Sequence, residues 1–436
     1  AGAETGSAYR AAGRLAARRG QGKMAFLDLV DGSGRIQAQA KLDVLGQERM
    51  ERLLGLVDLG DLIGIDGTVF CSRRGELTLR IDDYAILAKA LRPPPDKHSG
   101  LQDVELRFRR RELDLMSSEE SRALFVARAR IIAELRRYLD ENGFLEVETP
   151  ILQPLYGGAM ARPFVTHHNE LDRDLYLRIA TELYLKRLLV GGLERVYEIG
   201  KDFRNEGLSF KHQPEFTMLE WYEAYVDYRD TMARIEELVE AVARDVLGTT
   251  QVAFRGNAVE LAAPWRRIRF TDALEEHGLW TRDAAVLRER LVERGIDTEA
   301  DKDWAQLVDH AFSHFVEPGL IQPTIVHDYP VEISPFARAT DDDPTMTERF
   351  EFFIGGMELG NAFSEINDAA TQQERFDEQS AHVEGERGDP DYVEALSYGM
   401  PPTGGLGLGI DRLTMLLTGR ETIRDVVLFP ALRTLG

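Results

Sequence analysis

Residues 196–225, VYEIGKDFRNEGLSFKHQPEFTMLEWYEAY, constrain the fold more than any other stretch: two extended runs are joined by a charged loop. The first run alternates, with Tyr197 and Ile199 on one face and Glu198 on the other, as a half-buried strand does. The second carries Phe216, Met218, Glu220 and Tyr222 at every other position. Residues two apart share a face of a strand, so these four line one wall and set a carboxylate among apolar and aromatic groups. Arg204, Glu206, Lys211 and His212 lie at the mouth of the expected hairpin. Arg grips an anionic oxygen in bidentate fashion, and Phe216 can stack on a purine, so a bound nucleotide polyphosphate suits this mouth. A solvated hairpin whose charges pair with one another satisfies the same pattern.

Composition narrows the classes. At 436 residues the chain has room for two to three domains of roughly 100–200 residues each. No run approaches the ~20 apolar residues of a membrane span. The start, AGAETGSAYRAAGRL, lacks the basic and apolar regions of a signal peptide, so a cytoplasmic protein without a membrane partner is expected. One cysteine, Cys71, excludes an internal disulfide framework and fits a reducing compartment. The net charge of −22 opposes indiscriminate binding to nucleic acid. Local basic patches leave specific RNA binding open: Arg10, Arg14, Arg18, Arg19 and Lys23, and then Arg107, Arg109, Arg110 and Arg111. The second patch can meet RNA backbone or pair with acidic groups.

Residues 8–90 read as short strands broken by one helix over 44–56, the pattern of a five-stranded OB-type barrel. There Phe26 can stack a base while Arg14, Gln37 and Glu76 read its edge. Phe26 as plain barrel core is the competing reading. Three consecutive prolines in ALRPPPDKHSG mark a stiff linker. The expected division is a barrel over 1–92, a linker over 93–117 and a larger domain over 118–436, with a helical insertion at about 228–320. A long helix is expected from Ser118 as cap, with Leu124, Ile131, Ile132, Leu135 and Leu139 as its apolar stripe and Asn142-Gly143 as its end. Further helices are expected over 228–247, 284–294 and 303–316. Late in the chain Glu351 stands alone among Phe350, Phe352, Phe353 and Ile354, and Glu358 follows beyond Gly355-Gly356. Without a cationic neighbour two such carboxylates repel unless a metal lies between them, and Mg2+ suits oxygen ligands shared with phosphate. Exposed surface glutamates are the alternative.

Three ordered motifs resemble the class II aminoacyl-tRNA synthetases, in the form shared by the aspartyl, asparaginyl and lysyl enzymes. FRNEG followed by HQPEFTMLEWY resembles motif 2, GFLEVETP at 143–150 resembles motif 1, and GLGLGIDR at 405–412 resembles motif 3. Nearly the whole chain is covered, and the bacterial lysyl type is the most similar. The resemblance implies an α+β protein: an N-terminal OB-type β-barrel for the anticodon, followed by an antiparallel-sheet catalytic domain with helices. It implies a homodimer through the motif-1 helix and strand, although a buried helix within one subunit fits the same residues.

It also implies a reaction and its sites. ATP and L-lysine form lysyl-adenylate, and the lysyl group passes to the 3′ end of tRNA(Lys). No protein nucleophile is needed, and positioning and charge stabilisation carry such chemistry. By resemblance Arg204 binds the reacting carboxylate and α-phosphate, and Arg412 the γ-phosphate. Glu206 and His212 orient the nucleotide, Phe216 stacks on adenine, Asn361 orients phosphate or carboxylate, and Glu351 and Glu358 hold Mg2+. Gly158 and Glu182 take the substrate α-amine. Glu220, Tyr222 and Glu365 meet the ε-ammonium, with Phe363 beside them. Three carboxylates suit a diamine, and a pocket for aspartate needs an Arg or Lys that none of these positions supplies. Arg14, Phe26, Gln37 and Glu76 fall where lysyl enzymes read the anticodon. The family usually has Pro at Thr181, and Thr is expected to serve there as a helix cap. Competing readings are a paralogue that lysylates a translation factor, an inactive tRNA-binding module, and aspartyl or asparaginyl specificity.

Overall fold

The computed structural model describes all residues except 1–3, 21, 73–74, 97–99, 160, 302, 383–387 and 434–436. The chain forms two units, Ala1–Arg122 and Ala123–Gly436. In the first, strands β1 (Glu4–Arg19), β2 (Met24–Val30), β3 (Arg35–Lys41), β4 (Leu62–Cys71) and β5 (Leu77–Ala88) close into a barrel of order β1-β2-β3-β5-β4. Helices α1 (Leu42–Leu45) and α2 (Gln47–Leu56) fill the connection between β3 and β4. Alternation drives Leu15, Ala25, Leu27, Leu29, Ile63 and Ile65 into the barrel core. Phe26 has the opposite parity and stays outside that core, so it is not plain barrel filling.

Part of the expected linker is ordered. Helices α3 (Val104–Arg109) and α4 (Arg111–Ser117) occupy it. The Asp103 carboxylate accepts from the Glu105 and Leu106 amides and starts the first. The basic patch pairs with acidic groups: Arg107 and Arg111 both hold Asp114, at 2.9 and 2.8 Å, Arg109 holds Glu105 and Arg110 holds Glu112.

The second unit begins along α5 (Glu119–Glu141), whose first turn accepts support from Ser118 Oγ. The motif-1 stretch yields only a two-residue strand, β6 (Leu145–Glu146). Strands β7 (Leu152–Gln153), β8 (Val165–His168) and β9 (Arg173–Leu177) make a small sheet before α6 (Glu182–Val190). The hairpin β10 (Arg195–Phe203) and β11 (Glu215–Ala224) follows, then α7 (Tyr228–Leu247). Next come a small hairpin, β12 (Gln251–Phe254) and β13 (Asn257–Glu260), the strand β14 (Arg266–Arg269), and helices α8 (Phe270–Glu275), α9 (Ala284–Glu293) and α10 (Trp304–Phe315). Strands β15 (Thr324–Pro330), β16 (Met346–Phe353) and β17 (Glu358–Ser364) precede α11 (Ala369–His382) and α12 (Pro390–Leu396). Strand β18 (Thr403–Gly409) and helices α13 (Ile410–Thr418) and α14 (Ile423–Val426) complete the unit.

Eight strands form the main sheet, in the order β14-β15-β16-β17-β18-β11-β10-β6. Its pairings are antiparallel except at the two edges, β14–β15 and β10–β6. One face packs on α5, α7 and α13 through Trp221, Leu219, Leu406, Leu408, Phe350 and Phe352. The expected helical insertion is therefore two things. Helix α7 belongs to this main core, whereas α8 to α10 build a separate core around Phe270, Leu287 and Phe312.

Glu198 overturns the half-buried reading of β10. It is buried, with Oε1 2.5 Å from Arg178 Nη1 and Oε2 accepting from Thr149 N and Oγ1. Arg178 also faces Asp202 and donates to Lys201 O. A side chain at Gly200 would overlap that guanidinium and push it from its place beside Glu198.

Leu238 is fully buried on α7 between sheet and helices. Leu238→Ala is expected to destabilise the catalytic unit by about 2–5 kcal/mol, through lost burial and a residual cavity. Urea unfolding followed by tryptophan fluorescence measures it.

Candidate active site

The other face of the sheet floors a cavity of about 400 Å³. Strand register sets out its floor. Glu351 pairs with Asn361, Asn361 with Gly407, and Gly407 with Glu220, forming one row across four strands. Arg349, Phe363, Gly405 and Tyr222 form the next row on the same face. Two glycines in the middle of these rows open the space. A side chain at Gly405 would overlap the Glu365 carboxylate and the Tyr222 ring, and one at Gly407 would press on Met218. The GLGLG alternation thus places Leu406 and Leu408 in the core and bare backbone under the cavity.

All the catalytic-domain candidates converge here. Gly158, Glu182, Arg204, Glu206, His212 and Phe216 line the cavity. So do Glu220, Tyr222, Glu351, Glu358, Asn361, Phe363, Glu365 and Arg412. At one end the Arg204 guanidinium lies over Phe216, 5.0 Å from the ring centroid. Arg412 Nη1 donates to Glu358 Oε2 at 3.0 Å and to the Glu358 carbonyl, and Nη2 sits 3.3 Å from His212 Nε2. Partial burial and the charges of Arg412 and Lys211 bring His212 down to about 4, so it is neutral at pH 7. Lys211 forms an ion pair with Glu317 at 2.8 Å.

The two carboxylates expected to lack a cationic neighbour each have one. Arg349 Nη2 donates to Glu351 Oε1 at 2.6 Å, and the Tyr329 hydroxyl donates to Oε2 at 2.9 Å. Arg349 lies two residues before Glu351 on β16 and so shares its face. Burial, opposed by Arg349 and aided by Glu358, lifts Glu351 to about 7. Burial opposes ionisation of Glu358 as well, but Arg412 and Lys211 outweigh it and bring that carboxyl below its usual range. Among the described residues no three His, Cys, Asp or Glu are grouped to hold a metal. The oxygen donors at this end are therefore a pair.

At the other end three buried carboxylates meet. Glu220 accepts from the Tyr222 hydroxyl at 3.0 Å and from the Thr181 amide at 3.3 Å. Thr181 does not cap α6 with its side chain, contrary to expectation, and its hydroxyl is buried without a partner. Its amide supports Glu220 instead. Gly158, at φ +84°, packs its backbone against Glu182, where a Cβ would lie 3.1 Å from that residue's own.

None of these pocket positions is an Arg or Lys, but a lysine stands directly behind them. Lys186, on α6 one turn beyond Glu182, is fully buried, with Nζ 2.5 Å from Glu182 Oε1 and in closer contact with Glu365. The i,i+4 spacing on a predicted helix was the signal for it. Phe336, in the loop after β15, joins the same wall and had no sequence signal.

The barrel unit carries the other candidates on its outer face. Register gives three rows: Arg19, Phe26, Gln39 and Arg80; Ala17, Asp28, Gln37 and Thr78; Arg14, Val30 and Arg35. Arg35 reaches Glu76 at 3.5 Å, which brings the fourth candidate to the last row. Arg14 turns to the Gly60 carbonyl at 2.8 Å. Gln37 is held at both ends, accepting from Arg19 and donating to Thr78 Oγ1, each at 2.9 Å. Arg19 and the buried Asp28 are joined by two hydrogen bonds. Reading of residue parity on β2 finds Asp28, two positions from Phe26.

Burial, with Asp202 and Glu182 nearby, raises Glu220 from its ordinary 4.5 to about 8. It stays protonated in the folded chain at pH 7 and ionises in the unfolded chain. Its contribution to stability is fully present below about 4.5 and is lost as pH rises through about 8. Glu220→Gln cannot ionise and is expected to lose less stability than the unsubstituted protein between about pH 5 and about pH 9, read by denaturant unfolding at each pH.

Comparison with known proteins agrees with both units. The family model for tRNA synthetases class II (D, K and N) matches residues 103–433, and the model for the OB-fold nucleic acid binding domain matches residues 9–87. A lysine–tRNA ligase of Pelotomaculum thermopropionicum is 51% identical over 436 residues, covering 97% of this chain and 85% of that protein. Lysine–tRNA ligases of Bacillus thuringiensis and Bacillus anthracis are 50% identical over 431 residues, covering 97% of this chain and 86% of each relative. Motif, register and family model agree, and the chain belongs to the class II tRNA synthetases of the D, K and N type.

Proposed function

We propose that this protein is a lysine–tRNA ligase that joins L-lysine to tRNA(Lys) with ATP. The observation that carries the amino-acid choice is the convergence of Glu182, Glu220 and Glu365 at one end of a cavity whose other end holds Arg204 and Arg412. Buried carboxylates left without cations are costly, so an amino acid with an uncharged side chain leaves them unsatisfied. Lys186 does not reverse this choice toward aspartate, because its ammonium is already taken by Glu182 and Glu365.

In the first step the lysine carboxylate oxygen attacks the α-phosphorus of ATP. A P–O bond forms to give lysyl-adenylate, and the bond to pyrophosphate breaks. Arg204 holds the carboxylate and the α-phosphate together and offsets their charge as the bond forms. Arg412 meets the γ-phosphate, neutral His212 and Glu206 orient the nucleotide, and Phe216 stacks on adenine. Asn361, which accepts from Arg349 Nε at 2.8 Å, presents its amide to the carboxylate or phosphate. In the second step the terminal ribose hydroxyl of tRNA attacks the activated carbonyl and AMP leaves.

Glu351 and Glu358 fit Mg2+. Both face the cavity, and each carboxylate keeps lone pairs beyond those its arginine or Tyr329 uses. The ion, bound with ATP, offsets phosphate charge. Gly158 and Glu182 receive the α-amine, and Glu220, Tyr222 and Glu365, beside Phe363, receive the ε-ammonium. The barrel face bearing Arg14, Phe26, Gln37 and Glu76 receives the anticodon bases. The working location is the cytoplasm; among the described residues no helix is long and apolar enough to cross a membrane.

The active form is a homodimer. Leu145, Ile151, Leu152 and Val126 of the catalytic unit are 51%, 46%, 49% and 61% exposed along the motif-1 segment and its helix, an apolar strip that a second copy would cover. Ile151→Asp is expected to turn a dimer into monomer in sedimentation at micromolar concentration. A monomeric unsubstituted protein would sink the dimer. For the reaction, ATP–pyrophosphate exchange is expected with lysine and with none of the other standard amino acids. Arg204→Ala is expected to lower that exchange by about 100-fold or more, on the scale of losing one transition-state charge contact.

A further inference from the structure

Lys186 has no role in either step above, yet it is packed against the carboxylate end of the cavity. Its side chain is fully buried, and its Nζ contacts carboxylates from two elements, Glu182 of α6 and Glu365 just beyond β17. Three aromatic rings surround the ammonium: Phe363 at 5.3 Å, Phe336 at 5.7 Å and Tyr222 at 5.9 Å. The cavity lies on the other side of the two carboxylates, and Lys186 itself does not line it. Glu365 has no hydrogen-bond donor other than this ammonium among the described residues. The wall therefore contains three carboxylates, Glu182, Glu220 and Glu365, and one fixed cation behind them.

We infer that Lys186 is a positioning residue that offsets one of the three carboxylates, leaving two to pair with the two ammonium groups of the substrate, whose binding draws them into the ionised form. The inference rests on the lysine–tRNA ligase reading. Burial of an ammonium is tolerated only with paired counter-charges, and a carboxylate deprived of one is driven toward its neutral form. Lys186 thus fixes the count of charges and also where Glu182 and Glu365 stand. Substrates with one ammonium leave a carboxylate unmatched, which extends discrimination to the charge of the whole wall rather than to one contact.

The charged and titratable groups facing Lys186 are Glu182 on its own helix, Glu365, Tyr392 on α12 and the ring of Tyr222 on β11. Glu220 acts on Glu365 and Tyr222 rather than on Lys186 directly. Asp202, paired with Arg178, acts on Glu220 from β10. Burial raises Glu182, Glu365 and Glu220, the last to about 8, while Lys186 opposes the rise at Glu182 and Glu365. Ammonium groups bind the ionised carboxylates, so the KM for lysine is expected to fall as pH rises through that range. Without Lys186 the opposing charge is gone, and the fall moves to higher pH.

The test is the pH profile of lysine and ATP KM in ATP–pyrophosphate exchange for the full chain, Lys186→Met and Lys186→Arg. Lysine-dependent exchange by the unsubstituted protein is the first control, and its absence would sink the ligase reading itself before any variant is made. Lys186→Met is expected to raise the lysine KM at neutral pH by at least about tenfold and to displace the midpoint upward by about one pH unit or more, with the ATP KM within about twofold. Lys186→Arg keeps the charge and is expected to keep the midpoint. An unchanged midpoint in Lys186→Met, or parallel rises in lysine and ATP KM, would overturn the assignment and leave Lys186 as scaffold. Should Lys186→Met not fold, Lys186→Arg decides: a displaced midpoint overturns the assignment, and a retained one upholds it.

Discussion

The site depends on the register of four antiparallel strands, β16, β17, β18 and β11. Side chains alternate across a sheet, so a slip of one residue would exchange its faces. Glu351, Asn361 and Glu220 would then point into a core built from Trp221, Leu406 and Phe350. The cost of burying carboxylates there and exposing that core is far above any local preference. Packing of α5, α7 and α13 on one face thus holds the polar rows on the other. Stability and chemistry share one constraint, the parity of these strands.

Charge is handled inside the unit in a consistent way. Buried anions are matched by cations, most of which reach them from elsewhere in the fold, Glu182 being paired within its own helix. Arg178 bridges Glu198 and Asp202, Arg128 reaches Asp411 at 2.6 Å, and Lys186 joins Glu182 to Glu365. Such pairs add little net stability, because desolvation offsets much of their attraction. Their effect is positional: removing one partner leaves an unmatched buried charge, so the arrangement is held tightly. Asp411 also accepts from the Thr217 amide at 2.8 Å, tying α13 to the mouth of the hairpin. Arg412 follows Asp411 directly, so this bond places it beside the cavity.

Much of this was legible along the chain. The alternation of Phe216, Met218, Glu220 and Tyr222 placed a carboxylate on an aromatic wall. The long helix after Ser118 and the barrel strands followed from apolar period and turn residues. Other features were misread because they depend on neighbours distant in sequence. Glu198 looks like a solvent-facing residue until Arg178 and Thr149 cover it. Glu351 looks unpartnered when only apolar neighbours are counted, although Arg349 shares its face and Tyr329 reaches it from β15. Thr181 looks like a helix cap, yet its amide is the part that matters, because Glu220 arrives from β11.

The sequence by itself determined which residues face which way. Period and parity are local properties of strands and helices, and motif spacing identified the family. Tertiary structure alone decided which charges meet. Lys186 and Glu365 are separated by most of the catalytic unit along the chain, and their contact exists only because α6 packs against the end of β17. A carboxylate's partner, and with it its state of ionisation, is set by what lies within a few ångströms in space. Residue order carries no direct record of that distance.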